Sequence, residues 1–189
     1  MAILVTGGAG YIGSHSVLTL QKAGYEVIVL DNLVYGHQDL VETVLKVKLI
    51  VGSTCDRSLL RKIFATHQID AVMHFAAYAY VGESVTQPAK YYNNNVVGTL
   101  TLLEAMLEAN IHKFVFSSTC ATYGVPDSVP ITEDQSQNPI NPYGATKLMV
   151  ERILQDFSQA YDFRSVCLRY FNAAGADPEG NLGEDHHPE

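Results

Sequence analysis

The stretch VTGGAGYIGS, at positions 5–14, constrains the fold more than any other part of the chain. Gly7, Gly10 and Gly13 stand three residues apart, behind a short apolar run and ahead of a helical pattern. Glycines at a strand-to-helix turn let backbone N–H groups approach a phosphate, and a helix N-terminus favours an anion. The motif therefore predicts a dinucleotide pyrophosphate cradle, with a plain tight turn as the alternative.

Short apolar runs alternate with helix-length segments along the chain. The runs are AILV, EVIVL, VKLIV, AVMHF, KFVFS and SVCLRYF, and the clearest helical stretches span residues 12–23, 89–109 and 143–161. This βαβ pattern predicts an α/β fold of the Rossmann type, a doubly wound parallel sheet with helices on both faces. We expect one domain over residues 1–171. Residues 172–189 lose the pattern and read as the start of a loop leading to an absent substrate domain, which indicates a truncated chain.

Charge and composition exclude several classes of protein. The chain has 12 basic and 20 acidic residues and a net charge of −8, which argues against binding nucleic acid or a membrane surface. No signal peptide or membrane-spanning run is present, so we expect a cytoplasmic protein. Three scattered cysteines favour neither disulfides nor zinc, and the adjacent His186 and His187 lack metal-ligand spacing. No metal is expected.

Asp31 strengthens the dinucleotide hypothesis. It ends the second apolar run, close to the distance of about 20 residues expected for an acid that binds the ribose hydroxyls. A carboxylate there repels a 2′-phosphate, and no Arg or Lys occurs between Asp31 and Lys46. The sequence therefore favours NAD over NADP, with an ordinary turn residue as the alternative for Asp31.

Tyr143 and Lys147 are the candidate catalytic pair. They stand four residues apart in NPYGATKLMVERI, on one face of a predicted helix. A tyrosine is a poor base at neutral pH unless its phenolate is stabilised, and we expect a neighbouring ammonium and a nicotinamide ring to lower its pKa. The spacing alone is weak, but it gains weight from the glycine motif upstream.

Seven segments in order make the chain similar to the N-terminal part of the extended short-chain dehydrogenase/reductase family, and within it to the sugar-nucleotide 4-epimerases. They are TGGAGYIGSH, DNL, HFAAYAYVGES, NNNVVGT, FSSTCATYG, PYGATKLMVE and LRYFNAAGADP. The resemblance implies NAD-dependent 4-epimerisation of a UDP-hexose, UDP-galactose to UDP-glucose, through a transient 4-keto intermediate. It also implies a homodimer formed through the helices at 89–109 and 143–161.

The resemblance assigns roles to individual residues. Tyr143 is the implied base, Lys147 its partner and Thr119 the catalytic hydroxyl, with Thr119, Tyr143 and Asn172 contacting the UDP-sugar. The implied NAD contacts are Gly7, Gly10, Tyr11, Ile12, Gly13, Asp31, Asn32, Phe75, Ala76, Ala77, Asn95, Tyr143, Lys147 and Phe171. Ser53 and Ala79 depart from an Asp and a Lys found in some members, which weakens the expectation of unusually tight NAD retention.

Three alternatives stay open to different degrees. A sugar-nucleotide dehydratase needs an acid and a base just after the catalytic threonine, and this chain has Cys120 and Ala121 there. A related 4-epimerase acting on a uronic or N-acetylated sugar remains open, because the discriminating pocket is expected outside this chain. The chain is also compatible with an NAD-binding fragment that has no activity of its own.

Overall fold

A computed structural model describes residues 1–185, so His186 and His187 lie outside the described residues. The strands are β1 (Ala2–Thr6), β2 (Glu26–Asp31), β3 (Lys48–Val51), β4 (Ile69–His74), β5 (Lys113–Ser117) and β6 (Arg164–Leu168). The α-helices are α1 (Tyr11–Lys22), α2 (Arg57–Thr66), α3 (Val81–Thr86), α4 (Pro88–Tyr91), α5 (Gly98–Glu108) and α6 (Pro142–Tyr161). π-Helical segments at Leu40–Leu45 and Tyr92–Val97, and a 3₁₀ turn at Cys120–Thr122, complete the regular structure.

The six strands form one parallel sheet in the order β3-β2-β1-β4-β5-β6. The chain winds outward from β1 to β3 and then crosses back to place β4 on the other side of β1. This is the doubly wound order of dinucleotide-binding folds, in which ligands bind beyond the carboxyl ends of the strands at the reversal point. The predicted fold class is confirmed.

The core has two layers because neighbouring residues of a strand face opposite sides of the sheet. Leu4 belongs to an apolar cluster that includes residues of α2, α5 and α6, such as Leu103 and Leu154. Val5, one residue later, belongs to a second cluster that includes Val17 of α1. Helices therefore cover both faces, as the sequence pattern predicts.

The segment after β6 contains no helix or strand within its described residues, but it does not extend away from the fold. Leu182 is buried in the α1-side cluster, and the Asp177 N–H donates to the Leu182 carbonyl at 2.9 Å. The Tyr11 hydroxyl, at the start of α1, donates to the Gly175 carbonyl at 2.5 Å. Residues 172–182 therefore cross the carboxyl edge of the sheet and return to α1.

The long helical pattern predicted for residues 89–109 is one continuous helical stretch made of α4, the π-helical segment and α5. The π-helical segment falls on YNNNVV, where the Asn95 side chain accepts a hydrogen bond from the Tyr78 N–H, outside the helix. The loop over residues 124–141 has no regular structure, as expected from its prolines. No helix within residues 1–185 is both long and apolar enough to cross a membrane.

Candidate active site

The glycine loop turns β1 into α1 with no room for side chains at two positions. Gly7 has φ +73°, and a Cβ there would lie 2.5 Å from the Ala76 nitrogen, in the turn that follows β4. A Cβ at Gly13 would lie 2.1 Å from the Gly7 carbonyl oxygen. Only glycine permits this φ and these approaches without strain. The loop is a tight turn that also opens a helix N-terminus towards the carboxyl edge of the sheet.

Asp31 lies beside this loop at the carboxyl end of β2. Its carboxylate accepts hydrogen bonds from the Ala9 N–H at 3.0 Å and from the Leu33 N–H at 2.9 Å. The side chain is buried, and burial raises its pKa above the ordinary value while these N–H groups oppose the rise. The backbone thus fixes a carboxylate at the position where a ribose acceptor is expected.

A cleft opens over the loop at the point where the strand order reverses. The predicted cofactor residues that line it are Gly7, Gly10, Asp31, Asn32, Phe75, Ala76 and Ala77. Further lining residues, which were not predicted to contact the cofactor, are Leu30, Tyr35, Gly36, Gly52, Ser53, Thr54, Tyr78 and Asn94. Most of these follow the carboxyl ends of β2, β3 and β4, so the rule that ligands bind beyond the carboxyl ends of parallel strands could have found them. None of these described lining residues is Lys or Arg.

Asn95, which is predicted to contact the cofactor, does not line the cleft in this structure. Its amide group donates to the Tyr78 carbonyl at 3.0 Å and to the Thr146 hydroxyl at 3.2 Å, and it accepts from the Tyr78 N–H at 2.9 Å. These bonds tie the turn after β4 to α6 and leave the side chain 2% exposed. Asn94, one residue earlier, faces the cleft instead.

The other predicted contacts lie at the rim or outside the cleft. Tyr11 and Ile12 line a shallow depression against residues 173–176, beside the loop. Gly13 serves close packing. Phe171 is 65% exposed and Asn172 is also exposed, and neither lines the cleft. The structure therefore does not bring Phe171 and Asn172 together with the other predicted site residues.

Three polar residues of α6, Tyr143, Lys147 and Glu151, are spaced by four and lie on the helix face packed against the sheet. We call them the α6 row. They meet three consecutive residues where β5 ends: the Thr119 hydroxyl is near enough to Tyr143 to favour its phenolate, the Lys147 ammonium donates to the Ser117 carbonyl at 2.8 Å, and Glu151 accepts from the Ser118 hydroxyl. The structure thus brings together the predicted catalytic residues Thr119, Tyr143 and Lys147, which we call the catalytic trio. They meet at the end of β5, the strand next to β4.

The local sequence explains why α6 begins where it does. Asn141 is the N-cap, and its side-chain oxygen accepts from the Gly144 N–H at 2.8 Å. Pro142 occupies the first turn, where a missing N–H costs nothing. A Cβ at Gly144 would lie 2.6 Å from the Ala121 carbonyl oxygen, so the helix start packs directly on the turn that carries Thr119.

Burial sets the protonation states of the trio. It raises the pKa of Tyr143 to about 12, although the hydrogen bond with Thr119 acts in the opposite direction. It lowers the pKa of Lys147 to about 7, and the hydrogen bond to the Ser117 carbonyl does not offset this loss of solvation. In the chain alone the pKa of Tyr143 is therefore raised, whereas we expected an ammonium and a nicotinamide ring together to lower it. The chain alone holds a neutral phenol beside an easily deprotonated amine.

His74 is the last residue of β4, and its side chain is buried in the core. Its imidazole bonds the Thr6 hydroxyl at 2.6 Å and the Thr99 hydroxyl at 2.8 Å, while the Thr99 hydroxyl donates to the Asn95 carbonyl at 2.6 Å. Burial and the charge of Lys147 lower the pKa of His74 to about 3. It is therefore a neutral structural histidine at neutral pH.

No group of three or more His, Cys, Asp or Glu side chains among residues 1–185 is arranged to hold a metal ion. The cysteines of the chain, Cys55, Cys120 and Cys167, are free thiols. Burial raises the pKa of Cys167 to about 11, so this thiol stays protonated at neutral pH.

The doubly wound sheet, the glycine cradle with its acid and the Tyr/Lys pair define a dinucleotide-binding domain of the short-chain dehydrogenase/reductase type. A family model for the NAD dependent epimerase/dehydratase family matches residues 3–187. The chain belongs to this family.

The chain is similar to UDP-glucose 4-epimerases over its whole length. It is 58% identical to the UDP-glucose 4-epimerase of Halalkalibacterium halodurans, over 100% of this chain and 56% of that protein. The UDP-glucose 4-epimerase of Brucella ovis, solved with NAD, superposes with a TM-score of 0.94 at 50% identity, over 100% of this chain and 57% of that one.

A third match carries two ligands. The UDP-glucose 4-epimerase of Bifidobacterium longum, solved with NAD⁺ and UDP, has a TM-score of 0.94 at 43% identity, over 98% of this chain and 57% of that one. The chain spans little more than half the length of the relatives that it matches.

Proposed function

We propose that this chain is the NAD-binding and proton-transferring part of a UDP-hexose 4-epimerase that interconverts UDP-galactose and UDP-glucose. The observation that carries the proposal is the contact between Thr119 and Tyr143, with Lys147 one helical turn away, at the carboxyl edge where the nucleotide cleft opens. The identity to UDP-glucose 4-epimerases over the whole chain supports the same reaction.

The residues of the cleft fit NAD. Backbone N–H groups at the start of α1 suit the pyrophosphate, and Asp31 suits the adenosine ribose hydroxyls. Because no Lys or Arg lines the described cleft, a 2′-phosphate would meet the Asp31 carboxylate without a compensating cation. We include Asn94 among the cofactor contacts, since it faces the cleft and Asn95 supports the turn. Lys147 has N–H groups to spare for the nicotinamide ribose.

The trio supplies proton chemistry. Tyr143 accepts the proton from the sugar 4-hydroxyl and returns it after the hexose has turned over, while Thr119 hydrogen-bonds the same oxygen and orients it. NAD, when bound, supplies a reversible hydride acceptor. Tyr143 must ionise to act as a base, and its pKa of about 12 in the chain alone requires positive charge from bound ligands and from Lys147.

The surroundings of Thr119 disfavour a dehydratase. The next two residues, Cys120 and Ala121, carry no carboxylate. The carboxylate of the α6 row, Glu151, is buried and bound by Ser118 and Arg169, so it is not free to act on a sugar. Thr119, Tyr143 and Lys147 can move the protons needed for oxidation and reduction at one carbon. They do not supply the acid and the base needed to eliminate water.

The proposal includes a homodimer formed through the π-helical segment with α5 and through α6, and a cytoplasmic location. Val97 is 51% exposed and Met149 is 45% exposed, on the outer faces of these helices. These apolar side chains suit a helix-to-helix interface. Light scattering at micromolar concentration tests the dimer, and a monomer mass would contradict it.

The decisive experiment incubates the folded chain with NAD and UDP-galactose and measures UDP-glucose. Tyr143→Phe is the matched control, because it removes one hydroxyl and leaves the ring. Conversion that is lost in Tyr143→Phe supports the proposal. NAD binding without conversion supports the alternative that this chain is a binding module only.

UDP-N-acetylglucosamine and UDP-glucuronate are assayed beside UDP-galactose under the same conditions. Preference for either one would move the proposal to a related 4-epimerase, since apart from the configuration at C4, which the reaction inverts, the three sugars differ at the C2 and C6 substituents that a substrate pocket reads.

A further inference from the structure

Glu151, the third member of the α6 row, lies outside every role assigned so far. Its side chain is 3% exposed, and it accepts from the Arg169 guanidinium at 2.6 Å and 3.0 Å and from the Gln137 amide at 3.2 Å, besides the Ser118 hydroxyl. Burial would raise the pKa of Glu151, but these donors outweigh burial and leave the pKa below its ordinary value. It is a buried carboxylate held ionised by three different segments of the chain.

Arg169 extends these bonds to the loop that precedes α6. Its second terminal nitrogen donates to the Tyr123 hydroxyl at 2.7 Å and to the Glu133 carbonyl at 3.2 Å. The pair therefore joins α6, the turn after β5, the loop at 124–141 and the extended chain after β6. A buried pair of this kind adds little net stability compared with apolar packing, so its effect on position is the more informative property.

The position it controls is that of Thr119. Ser118 is the residue directly before Thr119, and its hydroxyl is bonded to the same helix that carries Tyr143. The backbone on either side is pinned to the chain after β6, because the Ser118 N–H donates to the Leu168 carbonyl at 2.9 Å and the Cys120 N–H donates to the Tyr170 carbonyl at 3.0 Å. Arg169 lies between those two carbonyls.

We propose that Glu151, through Ser118 and Arg169, is a positioning residue that sets the distance between the Thr119 and Tyr143 hydroxyls. The proposal rests on the proposed function, since both hydroxyls would hydrogen-bond the 4-oxygen of the sugar. The α6 row makes three contacts, one from each of its side chains, to three consecutive residues at the end of β5. Removing the third contact leaves the turn free to shift relative to the helix, and a shift of about 1 Å is enough to cost roughly a hundredfold in rate.

The ionisation of Tyr143 reports this distance without any sugar turnover. The Thr119 hydrogen bond favours its phenolate, so a longer Thr119–Tyr143 distance raises the pKa of Tyr143. The other titratable groups that affect the pKa of Tyr143 are Cys120 on the turn and Tyr170 after β6, and the Lys147 nitrogen lies 5.8 Å from the Tyr143 ring centroid. The variants below change none of these three residues.

The experiment uses the full chain bound to NAD, with its eleven tyrosines replaced by 3-fluorotyrosine and followed by ¹⁹F NMR against pH. Fluorination makes the phenol more acidic, which brings its titration into a range that the fold tolerates. Tyr143→Phe assigns the resonance. Glu151→Gln and the milder Ser118→Ala are compared with Arg152→Ala, which removes an ion pair to Asp156 on the exposed face of the same helix.

We expect Ser118→Ala and Glu151→Gln to raise the pKa of Tyr143 while NAD affinity stays within about twofold, and we expect Arg152→Ala to leave both unchanged. Restoring the hydroxyl with Ser118→Thr should return the titration towards wild type. A lower melting temperature with an unmoved Tyr143 titration in Ser118→Ala would overturn the proposal, because it would show a structural role only.

Failure of the chain to bind NAD or to epimerise would count against the proposed function instead. The same titration in the NAD-free chain then decides the positioning proposal: an upward shift in Ser118→Ala supports it, and no shift overturns it.

Discussion

The nucleotide cradle and the α6 row lie at the same edge of the sheet but differ in the chemical groups that form them. The cradle uses backbone: glycines that exclude side chains, helix N–H groups, and N–H donors that fix Asp31. The α6 row uses buried polar side chains whose protonation depends on their surroundings. The cradle is therefore already in its binding geometry, whereas the row needs a bound ligand to reach a working charge state.

The largest expected effect comes from closing the space in the cradle. In Gly13→Ala the new methyl group meets the Gly7 carbonyl oxygen, which is backbone and cannot move aside. We expect a loss of more than about 4 kcal/mol in the free energy of unfolding, and no NAD binding. Urea denaturation and calorimetric titration measure both.

Gly82→Ala is the control, since a Cβ at Gly82 meets nothing within 4 Å. Alanine forms helices better than glycine, so Gly82→Ala should lose no stability, and equal losses in the two variants would contradict the close approach at Gly13 as the cause.

The second effect concerns the charge state of the α6 row. The folded pKa of Lys147 is about 7 against an ordinary 10.5, so between these values the unfolded chain binds the extra proton. Stability should therefore rise with pH from about 7 to about 10.5, with a slope of about 1.4 kcal/mol per pH unit from this group. In Lys147→Met this rise should disappear, the chain should be more stable at pH 7, and NAD should bind more weakly.

Urea denaturation of both proteins across that pH range provides the measurement. Parallel pH profiles for wild type and Lys147→Met would show that burial does not lower the pKa of Lys147.

The third effect concerns the pH dependence of stability that comes from His74, a structural residue with no part in the proposed proton transfer. His74 has a folded pKa of about 3 against 6.5, so the unfolded chain binds more protons between these values and stability should fall as pH is lowered through this window. His74→Gln keeps a donor and an acceptor towards Thr6 and Thr99 but cannot titrate. We expect its unfolding free energy to decline less steeply below pH 6.5, as measured by chemical denaturation at several pH values.

If His74→Gln shows the same acid slope as wild type, the carboxylates and not His74 carry the acid sensitivity.

The smallest effect tests the return of the chain to α1. Leu182→Ala should cost about 2–4 kcal/mol, because Leu182 is 3% exposed within the cluster that contains Val17 and Val41. Val125, which is 76% exposed, is the control, and Val125→Ala should change stability by less than about 0.5 kcal/mol. Thermal or urea unfolding distinguishes them, and equal effects would show that residues 172–182 do not pack as described.

The parts that could be predicted from sequence follow the same division. Gly7, Gly13 and Asp31 could be placed because a backbone motif fixes both spacing and conformation. The doubly wound parallel sheet with helices on both faces could be predicted from the alternating apolar runs, although the order of its strands was not predicted. Tyr143 and Lys147 could be paired because helical spacing fixes their common face.

The parts that could not be predicted depend on tertiary contacts between distant segments. Nothing local distinguishes Asn94 from Asn95 in YYNNNVV, since the difference lies in the turn after β4 that bonds Asn95. The role of Glu151 requires knowing that Ser118 and Arg169 meet it, and burial of Leu182 requires knowing that the chain turns back. The raised pKa of Tyr143 follows from the burial of the helix face, which the spacing alone does not quantify.

The burial of Leu182 against α1 also bears on how the molecule assembles. The two partners lie about as far apart in sequence as this chain allows, so their contact closes a very long loop and comes at a large cost in chain entropy. The α2, α5 and α6 side of the core needs no residue beyond Phe163 among its fully buried members. During synthesis that side can therefore consolidate first, and the nucleotide cradle, although encoded before it, receives Leu182 as a core residue only after the chain has been made up to that position.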